Sequence, residues 1–346
     1  MANTPTKLIN LALQGGGAHG AYTWGVLEQL LMDGRLNFRT ISGTSAGSMN
    51  AAVMASGHLA GGAEGAIKLL EKFWHRVSEA GRYGIFSAPN AFEKFSATDP
   101  TGGLMAAGAY AGYEMLARMM SPYQLNPMGF NPLREILEDL VDFEKLRGSK
   151  EIILHISATN VLTSGLKIFT GKEISVEALL ASACLPQIFQ AIQIGADYYW
   201  DGGFMGNPSL YPLTECTATR DILIVQIDPI RREKLPTRAE DIADRVNEIS
   251  FNSPLLAELR GISRINRMLQ KGHLKEQECG KRLLHLHRVS DEKTMAELPL
   301  ETKFNPEWNF LNMLRQAGQK SAKEWLARNF DMIGTKSSFD VERLTG

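Results

Sequence analysis

The sequence has few cysteines, almost no net charge and no long apolar run at its N-terminus. Its three cysteines, Cys184, Cys216 and Cys279, have neither metal-ligand spacing nor a disulfide framework, which favours a reducing compartment. A formal net charge of −1 gives no reason to expect a nucleic-acid partner. The N-terminal apolar run is shorter than the roughly 20 residues that cross a bilayer, and it lacks the pattern of a secretory signal. We therefore expect a cytoplasmic protein, with peripheral contact to a membrane or lipid particle as a further expectation.

The chain has 346 residues, of which 44% are hydrophobic, enough for one large domain or two modest ones. Short apolar segments alternate with segments of helical periodicity, and this pattern predicts an α/β fold with a largely parallel sheet. The predicted strands are 7–13, 38–42, 151–160, 166–170, a hairpin over 191–200, 221–228 and 283–289. The predicted helices are 21–31, 45–56, 66–78, 132–140, 175–184, 238–272 and 306–328.

A glycine-rich stretch, GGGAHG at residues 15–20, lies between the first predicted strand and the first predicted helix. It matches the G-x-G-x-x-G pattern of dinucleotide-binding folds, which also need an acidic residue at the end of the second strand. Here that strand ends in Ser42-Gly43-Thr44 without a carboxylate, so dinucleotide binding is kept only as an alternative. Consecutive glycines also let backbone N–H groups converge on developing negative charge. We expect Gly15, Gly16 and Gly17 to form an oxyanion hole.

The stretch GTSAG, residues 43–47, matches the G-x-S-x-G pattern of a nucleophile elbow and lies between a predicted strand and a predicted helix. Small residues are needed in such a turn because neighbouring backbone comes close. Ser45 is therefore the candidate nucleophile, Gly43 and Gly47 are the elbow glycines, and the Ala46 N–H is a further oxyanion donor. The alternative is an ordinary serine at a helix N-cap.

The stretch YWDGG, residues 199–203, delivers a carboxylate from an apolar strand into a Gly-Gly turn. A carboxylate at a strand end acts as a general base when it lies within hydrogen-bond reach of the hydroxyl. Asp201 is therefore the candidate base. The alternative is an aspartate that starts a turn by accepting a hydrogen bond from its own backbone.

Together, GGGAHG, GTSAG and DGG resemble the patatin-like phospholipase family, as do ASACLP at residues 181–186 and Asn207-Pro208. The resemblance covers about residues 7–230 and implies a three-layer α/β/α sandwich with a largely parallel central sheet. It also implies a serine esterase that hydrolyses lipid esters without a cofactor, through a dyad of Ser45 and Asp201 and an acyl-enzyme. The family usually has Arg or Lys where this chain has His19, and often Asp where it has Gln14.

Two regions lack a motif of their own. Residues 231–346 are expected to form a helical extension packed on the acyl hydrolase domain of residues 7–230. Residues 81–130 are a candidate lid, in which the small and Met-rich segment 102–120 resembles a membrane-contacting helix. Its candidate acyl-chain contacts are Leu104, Met105, Met115 and Met119, and a buried core helix is the alternative.

Other functions stay open at this point. A hydrolase with a full triad in the order Ser, Asp, His would use His285 or His287, which share one face of a predicted strand. The substrate of the esterase could instead be a neutral lipid or a storage polyester. A non-catalytic lipid-binding protein is a further alternative. The sequence contains no cluster of metal ligands, so no metal is expected, and it does not specify the oligomeric state.

Overall fold

The described residues form one mixed sheet of eight strands, and five consecutive strands of it run parallel. The computed structural model describes residues 6–81 and 120–345. The strands are β1 (Lys7–Leu13), β2 (Leu36–Thr44), β3 (Ile153–Asn160), β4 (Leu166–Thr170), β5 (Ile192–Ile194), β6 (Asp197–Asp201), β7 (Asp221–Val225) and β8 (His285–Val289). Their hydrogen-bonded order is β5-β6-β3-β2-β1-β7-β8, in which β2 and β6 pair with successive parts of the same edge of β3, and β4 pairs with the opposite edge of β3. Strands β3, β2, β1, β7 and β8 are parallel, which confirms the predicted sheet.

Helices fill most of the connections between these strands. They are α1 (Gly20–Asp33), α2 (Ala46–Gly81), α3 (Pro122–Leu125), α4 (Pro132–Leu140), α5 (Phe143–Gly148), α6 (Val176–Ser182), α7 (Tyr211–Thr214), α8 (Ala239–Gln270), α9 (Glu276–Cys279), α10 (Glu292–Ala296), α11 (Trp308–Asn329) and α12 (Glu342–Thr345). Short 3-10 turns lie at Gly17–His19, Gly171–Glu173, Gly202–Phe204, Leu300–Phe304 and Phe330–Met332. None of the helices formed by the described residues combines the length and apolar character needed to span a bilayer.

The sheet buries a separate apolar cluster on each face. Ile9, Leu11 and Leu13 of β1 pack on one side with α1, α2 and α11. The intervening residue Ala12 faces the other side, in a cluster that includes Leu255 of α8. Because side chains alternate along a strand, one apolar segment supplies both cores. The result is the three-layer α/β/α arrangement that the resemblance implied.

The structure differs from the sequence prediction in a few elements. The helices predicted over 45–56 and 66–78 form one segment, α2, which is broken at Gly61 and Gly62, where the backbone is not helical. Helix α5 was not predicted, because its few residues are too short to show a period. Strand β8 forms one edge of the sheet, and α11 packs against α1, so residues after 230 belong to the same layers.

Candidate active site

Ser45 is the first residue after β2, and its backbone is strained. Its φ of 53° lies in the left-handed region that residues other than glycine rarely adopt. The Ser45 N–H donates to the hydroxyl of Ser182 at 2.9 Å, and its carbonyl accepts from the N–H groups of Ser48 and Met49 in the first turn of α2. The side chain of Ser45 is thereby held at the N-terminus of α2 in a strand–turn–helix, the geometry expected of a nucleophile elbow.

The two glycines that flank Ser45 are required by close backbone contacts. A Cβ atom on Gly47 would lie 2.2 Å from the carbonyl oxygen of Leu13 in the neighbouring strand β1. A Cβ atom on Gly43 would lie 2.8 Å from the carbonyl oxygen of Gly47. Neither position accommodates a side chain unless the strand and the helix move apart. The close approach of neighbouring backbone therefore explains the small residues in this turn.

Strand β6 brings Asp201 to the end of β2. The pairing of β2 with β3 ends where Thr44 lies opposite Ser157. From the next residue of β3 onward, β6 pairs with the same edge of β3, beginning with Asp201 opposite Ala158. The two strands therefore meet nearly end to end, with Ser45 following one and Asp201 closing the other. The backbone of Asp201 is fixed on both sides, because its N–H donates to the Cys184 carbonyl at 2.8 Å and its carbonyl accepts from the Thr159 hydroxyl at 2.8 Å.

The two oxygens of the Asp201 carboxyl have different roles. Oδ1 accepts the Gly203 N–H at 2.7 Å, which is the turn-starting bond of the alternative interpretation. Oδ2 is buried and has no hydrogen-bond partner within 3.5 Å among the described residues. Burial raises the pKa of Asp201 to about 6, while the Gly203 N–H, the Ser45 hydroxyl and the charge of Lys303 each act to lower it. A carboxyl with one oxygen free and the Ser45 hydroxyl beside it is suited to accept a proton.

The glycine loop lies against Ser45, with one difference from the expectation. A Cβ atom on Gly15 would lie 2.7 Å from the Cβ atom of Ser45, so the loop backbone touches the elbow. The Gly15 N–H, however, donates to Oδ1 of Asn207 at 2.7 Å and is not available to an oxyanion. In the described part of the chain, the N–H groups of Gly16, Gly17 and Ala46 have no such partner. The arrangement leaves these three amides, rather than Gly15, as free donors.

The ASACLP segment joins the two candidate residues, a role that sequence reasoning missed. The buried Ser182 hydroxyl accepts the N–H of Ser45, and two residues later the Cys184 carbonyl accepts the N–H of Asp201. Helix α6, which is capped by the hydroxyl of Ser175, delivers this segment to both strands. The segment was recognisable from its resemblance to the family, but a contact with Ser45 cannot be inferred from spacing along the chain.

Lys303 is a second residue near the site that no motif indicated. Its ammonium pairs with the buried carboxyl of Asp228 at 2.7 Å, and its carbonyl oxygen lies so close to Gly17 that a Cβ atom there would clash with it. His19 lies beside it and is buried, with Nε2 bonded to the Thr302 hydroxyl at 2.8 Å. Burial, assisted by the charge of Lys303, lowers the pKa of His19 to about 3, so His19 carries no charge at neutral pH.

The histidines of the triad alternative lie elsewhere. His285 and His287 share one face of β8, as predicted, and both contact Oδ1 of Asp221, at 3.2 Å and 2.9 Å. Asp221 begins β7, whereas Ser45 follows the carboxyl end of β2. Both strands are parallel neighbours of β1, so the start of β7 and the end of β2 lie at opposite ends of the strands. The histidine cluster and Ser45 are therefore far apart along the strand direction. The structure does not bring either histidine to Ser45.

Some predicted contacts cannot be placed. Leu104, Met105, Met115 and Met119, and most of the candidate lid over 81–130, lie outside the described residues. Within the described residues, no three His, Cys, Asp or Glu side chains gather in a way that could hold a metal ion.

The chain is similar to two longer proteins of known structure. VipD from Legionella pneumophila is 16% identical, with 93% of this chain and 67% of that chain covered and a TM-score of 0.42. ExoU in its heterodimeric complex with SpcU, from the type III secretion system of Pseudomonas aeruginosa, is 17% identical, with 95% and 53% covered and a TM-score of 0.39. The chain thus spans about half to two thirds of the length of these proteins. No curated protein matches it in sequence.

The family model described as patatin-like phospholipase matches residues 11–214. The matched region is more than half of the chain, and it runs from β1 through the glycine loop, the elbow and β6 to the end of α7. On that match, the chain belongs to the patatin-like phospholipase family.

Proposed function

We propose that the protein is a lipid acyl hydrolase of the phospholipase A or esterase type, which cleaves carboxylic esters with Ser45 as nucleophile and Asp201 as general base. One observation carries the proposal: a serine on a left-handed turn lies close enough to a buried carboxyl to lower its pKa, and Oδ2 of that carboxyl has no hydrogen-bond partner among the described residues. The family match supports a lipid ester as the substrate. Membership of the family alone does not specify the headgroup, the acyl position or the chain length.

The first chemical step uses both oxygens of Asp201. Oδ1 stays bonded to the Gly203 N–H and fixes the carboxyl plane, while Oδ2 takes the proton of the Ser45 hydroxyl. The Ser45 oxygen adds to the ester carbonyl carbon, and the carbonyl oxygen becomes an oxyanion. The amides of Gly16, Gly17 and Ala46 are the donors for that oxyanion, and each such donor stabilises a transition state by roughly 3–4 kcal/mol.

The second half of the reaction reverses these proton movements. The tetrahedral intermediate collapses, Asp201 returns the proton to the departing alcohol or lysolipid, and the acyl group remains on Ser45. Asp201 then takes a proton from water, which attacks the acyl-enzyme, and Asp201 returns that proton to the Ser45 oxygen as the fatty acid leaves. A free carboxylate is a weak base for this work, and the rise of the Asp201 pKa to about 6 strengthens it while leaving it ionised at neutral pH.

The proposal assigns residues 7–230 to the acyl hydrolase domain and treats 231–346 as an extension packed on it. Phe251 of α8 supports this view, because a Cβ atom on Gly203 would lie 2.4 Å from its ring. Lys303, also from this extension, acts on the Asp201 carboxyl. We further propose a cytoplasmic location with peripheral contact to a membrane or lipid particle.

The test compares three variants of the full chain on a phospholipid, a triacylglycerol, a storage polyester and a short aryl ester. Ser45→Ala and Asp201→Asn are expected to lose hydrolysis of every ester that the wild type cleaves. Asp197→Asn, at the other end of the same strand β6, is the matched control and keeps activity. A fluorophosphonate probe should label the wild-type peptide that contains Ser45. Full activity in Asp201→Asn would rule out the dyad.

Two further variants separate the dyad from the triad alternative. His285→Ala and His287→Ala remove contacts with Asp221 but leave Ser45 and Asp201 untouched. Both variants are expected to retain labelling of Ser45 and hydrolysis while they remain folded. If neither the probe nor any ester reacts with the folded wild-type protein, a non-catalytic lipid-binding protein becomes the better interpretation.

A further inference from the structure

The glycine loop at residues 15–20 has little of its own to hold it in one conformation. Glycine loses more conformational freedom on folding than any other residue, and Gly17 has a φ of 58°, in the left-handed region. The donors of an oxyanion hole must nevertheless be fixed before the reaction begins. The contacts that hold this loop therefore bear directly on the proposed chemistry.

Gln14 precedes the loop and anchors its first end. Its side chain is fully buried, and each end of the amide makes two hydrogen bonds. Oε1 accepts the N–H groups of residues 227–228, which follow β7, at 2.6 Å and 2.8 Å. Nε2 donates to the Asn207 carbonyl at 3.2 Å and to Oδ1 of Asn252 at 2.9 Å. Since Oδ1 of Asn207 accepts the Gly15 N–H, the network reaches the backbone of the loop itself.

Asn252 is the member of this network that lies on α8. It is buried, and its Nδ2 group donates to the Pro229 carbonyl at 3.1 Å, which leaves Oδ1 as the acceptor for Gln14. The reverse orientation of the amide would place donor against donor and acceptor against acceptor. Without Asn252, the buried Nε2 group of Gln14 would keep only its longer bond to Asn207, and a buried donor that loses a partner is unfavourable. We expect Gln14, and Gly15 after it, to move when Asn252 is changed.

His19 is held in a similar way near the other end of the loop. The Thr302 hydroxyl donates its one hydrogen to the Pro299 carbonyl at 2.5 Å, so it accepts from Nε2–H of His19, at 2.8 Å. The next residue, Lys303, places its carbonyl oxygen directly against Gly17. The 3-10 turn that carries Thr302 therefore fixes the second half of the loop, as Asn252 fixes the first.

Asn252 and Thr302 both lie outside the region that the family model matches. They belong to the C-terminal extension, residues 231–346, which carries no motif of its own. We propose that Asn252 and Thr302 are positioning residues, through which the extension holds the free amides of the glycine loop where an oxyanion forms. The inference rests on the proposed function, because that function assigns an oxyanion to the amides of Gly16 and Gly17.

Hydrogen exchange measures the anchoring of the loop independently of catalysis. Asn252→Leu keeps the size of the side chain and removes the acceptor for Gln14. Asn266→Leu is the matched control, because Asn266 also lies on α8 and its amide makes two bonds, at 2.8 Å and 3.0 Å, with the backbone of Leu284 before β8. Deuterium uptake by the peptide that contains residues 15–20 is followed by mass spectrometry in the full, folded chains. Uptake is expected to become several-fold faster in Asn252→Leu and to stay at the wild-type rate in Asn266→Leu, and an equal rate in the two variants would overturn the proposal.

The second anchor has a control of the same kind. Thr302→Val keeps the shape of the side chain and removes the acceptor for His19. Thr335→Val also removes a hydroxyl that donates to the carbonyl three residues earlier, at 2.8 Å, but Thr335 follows Gly334, which bonds to Asp221 at the start of β7. Faster uptake over the loop is expected in Thr302→Val alone. Unchanged uptake in a folded Thr302→Val would refute the anchor at His19, and this comparison stands even if Asn252→Leu fails to fold.

The chemical role of the anchors is measured by kinetics on a short soluble ester. We expect kcat to fall several-fold in Asn252→Leu and in Thr302→Val while KM stays near its wild-type value, because the anchors act on the oxyanion of the transition state. Affinity for a trifluoromethyl ketone, which forms an oxyanion when Ser45 adds to its carbonyl carbon, should fall by a similar factor. Both control variants should keep the wild-type values.

The outcomes separate this inference from the proposed function. If the folded wild type neither hydrolyses an ester nor reacts with the fluorophosphonate, the proposed function is refuted, and with it the oxyanion that the anchors serve. If the wild type is active but both anchors can be removed without a change in kcat or in ketone affinity, the positioning role alone is refuted.

Discussion

Thr44 and Asp201 pair with consecutive residues of β3, Ser157 and Ala158. A parallel strand that ends at Thr44 and an antiparallel strand that ends at Asp201 therefore meet on the same side of one central strand. The register places Ser45 beside the Asp201 carboxyl without a long loop. The precision of the candidate dyad thus depends on sheet hydrogen bonds, which are among the most rigid contacts in a domain.

The pH dependence of hydrolysis should follow Asp201. The pKa of this carboxyl is raised to about 6, and only the ionised form accepts the Ser45 proton. We expect kcat/KM to be low at pH 5, to rise through about pH 6 and to level off above it. The measurement is a kcat/KM profile on a short soluble ester. A rate that is already maximal at pH 4.5 would contradict the assignment of Asp201 as base.

Lys303 should set the position of that rise. Its positive charge lowers the pKa of Asp201, so Lys303→Met should move the rise to higher pH. Activity is then expected to fall several-fold at pH 6 and to change little at pH 8. Lys303→Arg keeps the charge beside Asp228 and should restore most of the profile. A loss that is equal at every pH would indicate that Lys303 only supports the fold.

Ser182 is expected to act as a positioning residue for Ser45. Ser182→Ala leaves the N–H of Ser45 without its 2.9 Å partner, and an unsatisfied donor of this kind costs about 1–3 kcal/mol. Because the elbow is already strained, we expect kcat to fall by about tenfold while KM stays near its wild-type value. Ser182→Thr, which keeps the hydroxyl, should recover activity. The exposed Ser250→Ala is the matched control, and an equal loss in both variants would refute the role.

Local patterns in the sequence predicted most of this architecture, whereas contacts between distant segments could not be predicted. Alternation and helical period identified β1, β7 and α11, because those signals depend on neighbouring residues. The turn at Ser45 was predictable because few residues other than glycine fit around it. The bond from Gly15 to Asn207 and the approach of Lys303 depend on how separate elements pack, and no spacing along the chain encodes that. The same reason explains why His285 and His287 remained triad candidates until their contacts with Asp221 were known.

The close backbone contact at the elbow glycine Gly47 can be tested by making the same Gly→Ala substitution there and at an open position, Gly261. Gly47→Ala places a methyl group 2.2 Å from the Leu13 carbonyl oxygen, so β1 and α2 must separate. We expect a destabilisation of about 1–3 kcal/mol and a loss of hydrolysis. Gly261→Ala in α8 meets nothing within 4 Å and should stabilise the helix by up to about 1 kcal/mol with activity retained. Urea unfolding and esterase assays measure both, and an active Gly47→Ala would show that the elbow tolerates a side chain.

Burial of the ionised Asp201 carboxyl should lower the free energy of unfolding of the wild type. Asp201→Asn removes the charge, so the difference between variant and wild type should depend on pH. The folded-state pKa of about 6 lies above the ordinary value of 3.8, so ionisation disfavours the folded state. The cost is absent below about pH 4, grows as the pH rises to about 6 and is constant above that, with an upper value of about 3 kcal/mol. The free energy of unfolding of Asp201→Asn should therefore gain on the wild type between pH 4 and pH 7. Asp197→Asn, which changes a less buried aspartate of the same strand, is measured beside it. If the difference in the free energy of unfolding between Asp201→Asn and the wild type does not change with pH, the pKa of Asp201 is not raised in the folded protein. The argument for Asp201 as the base would then fail.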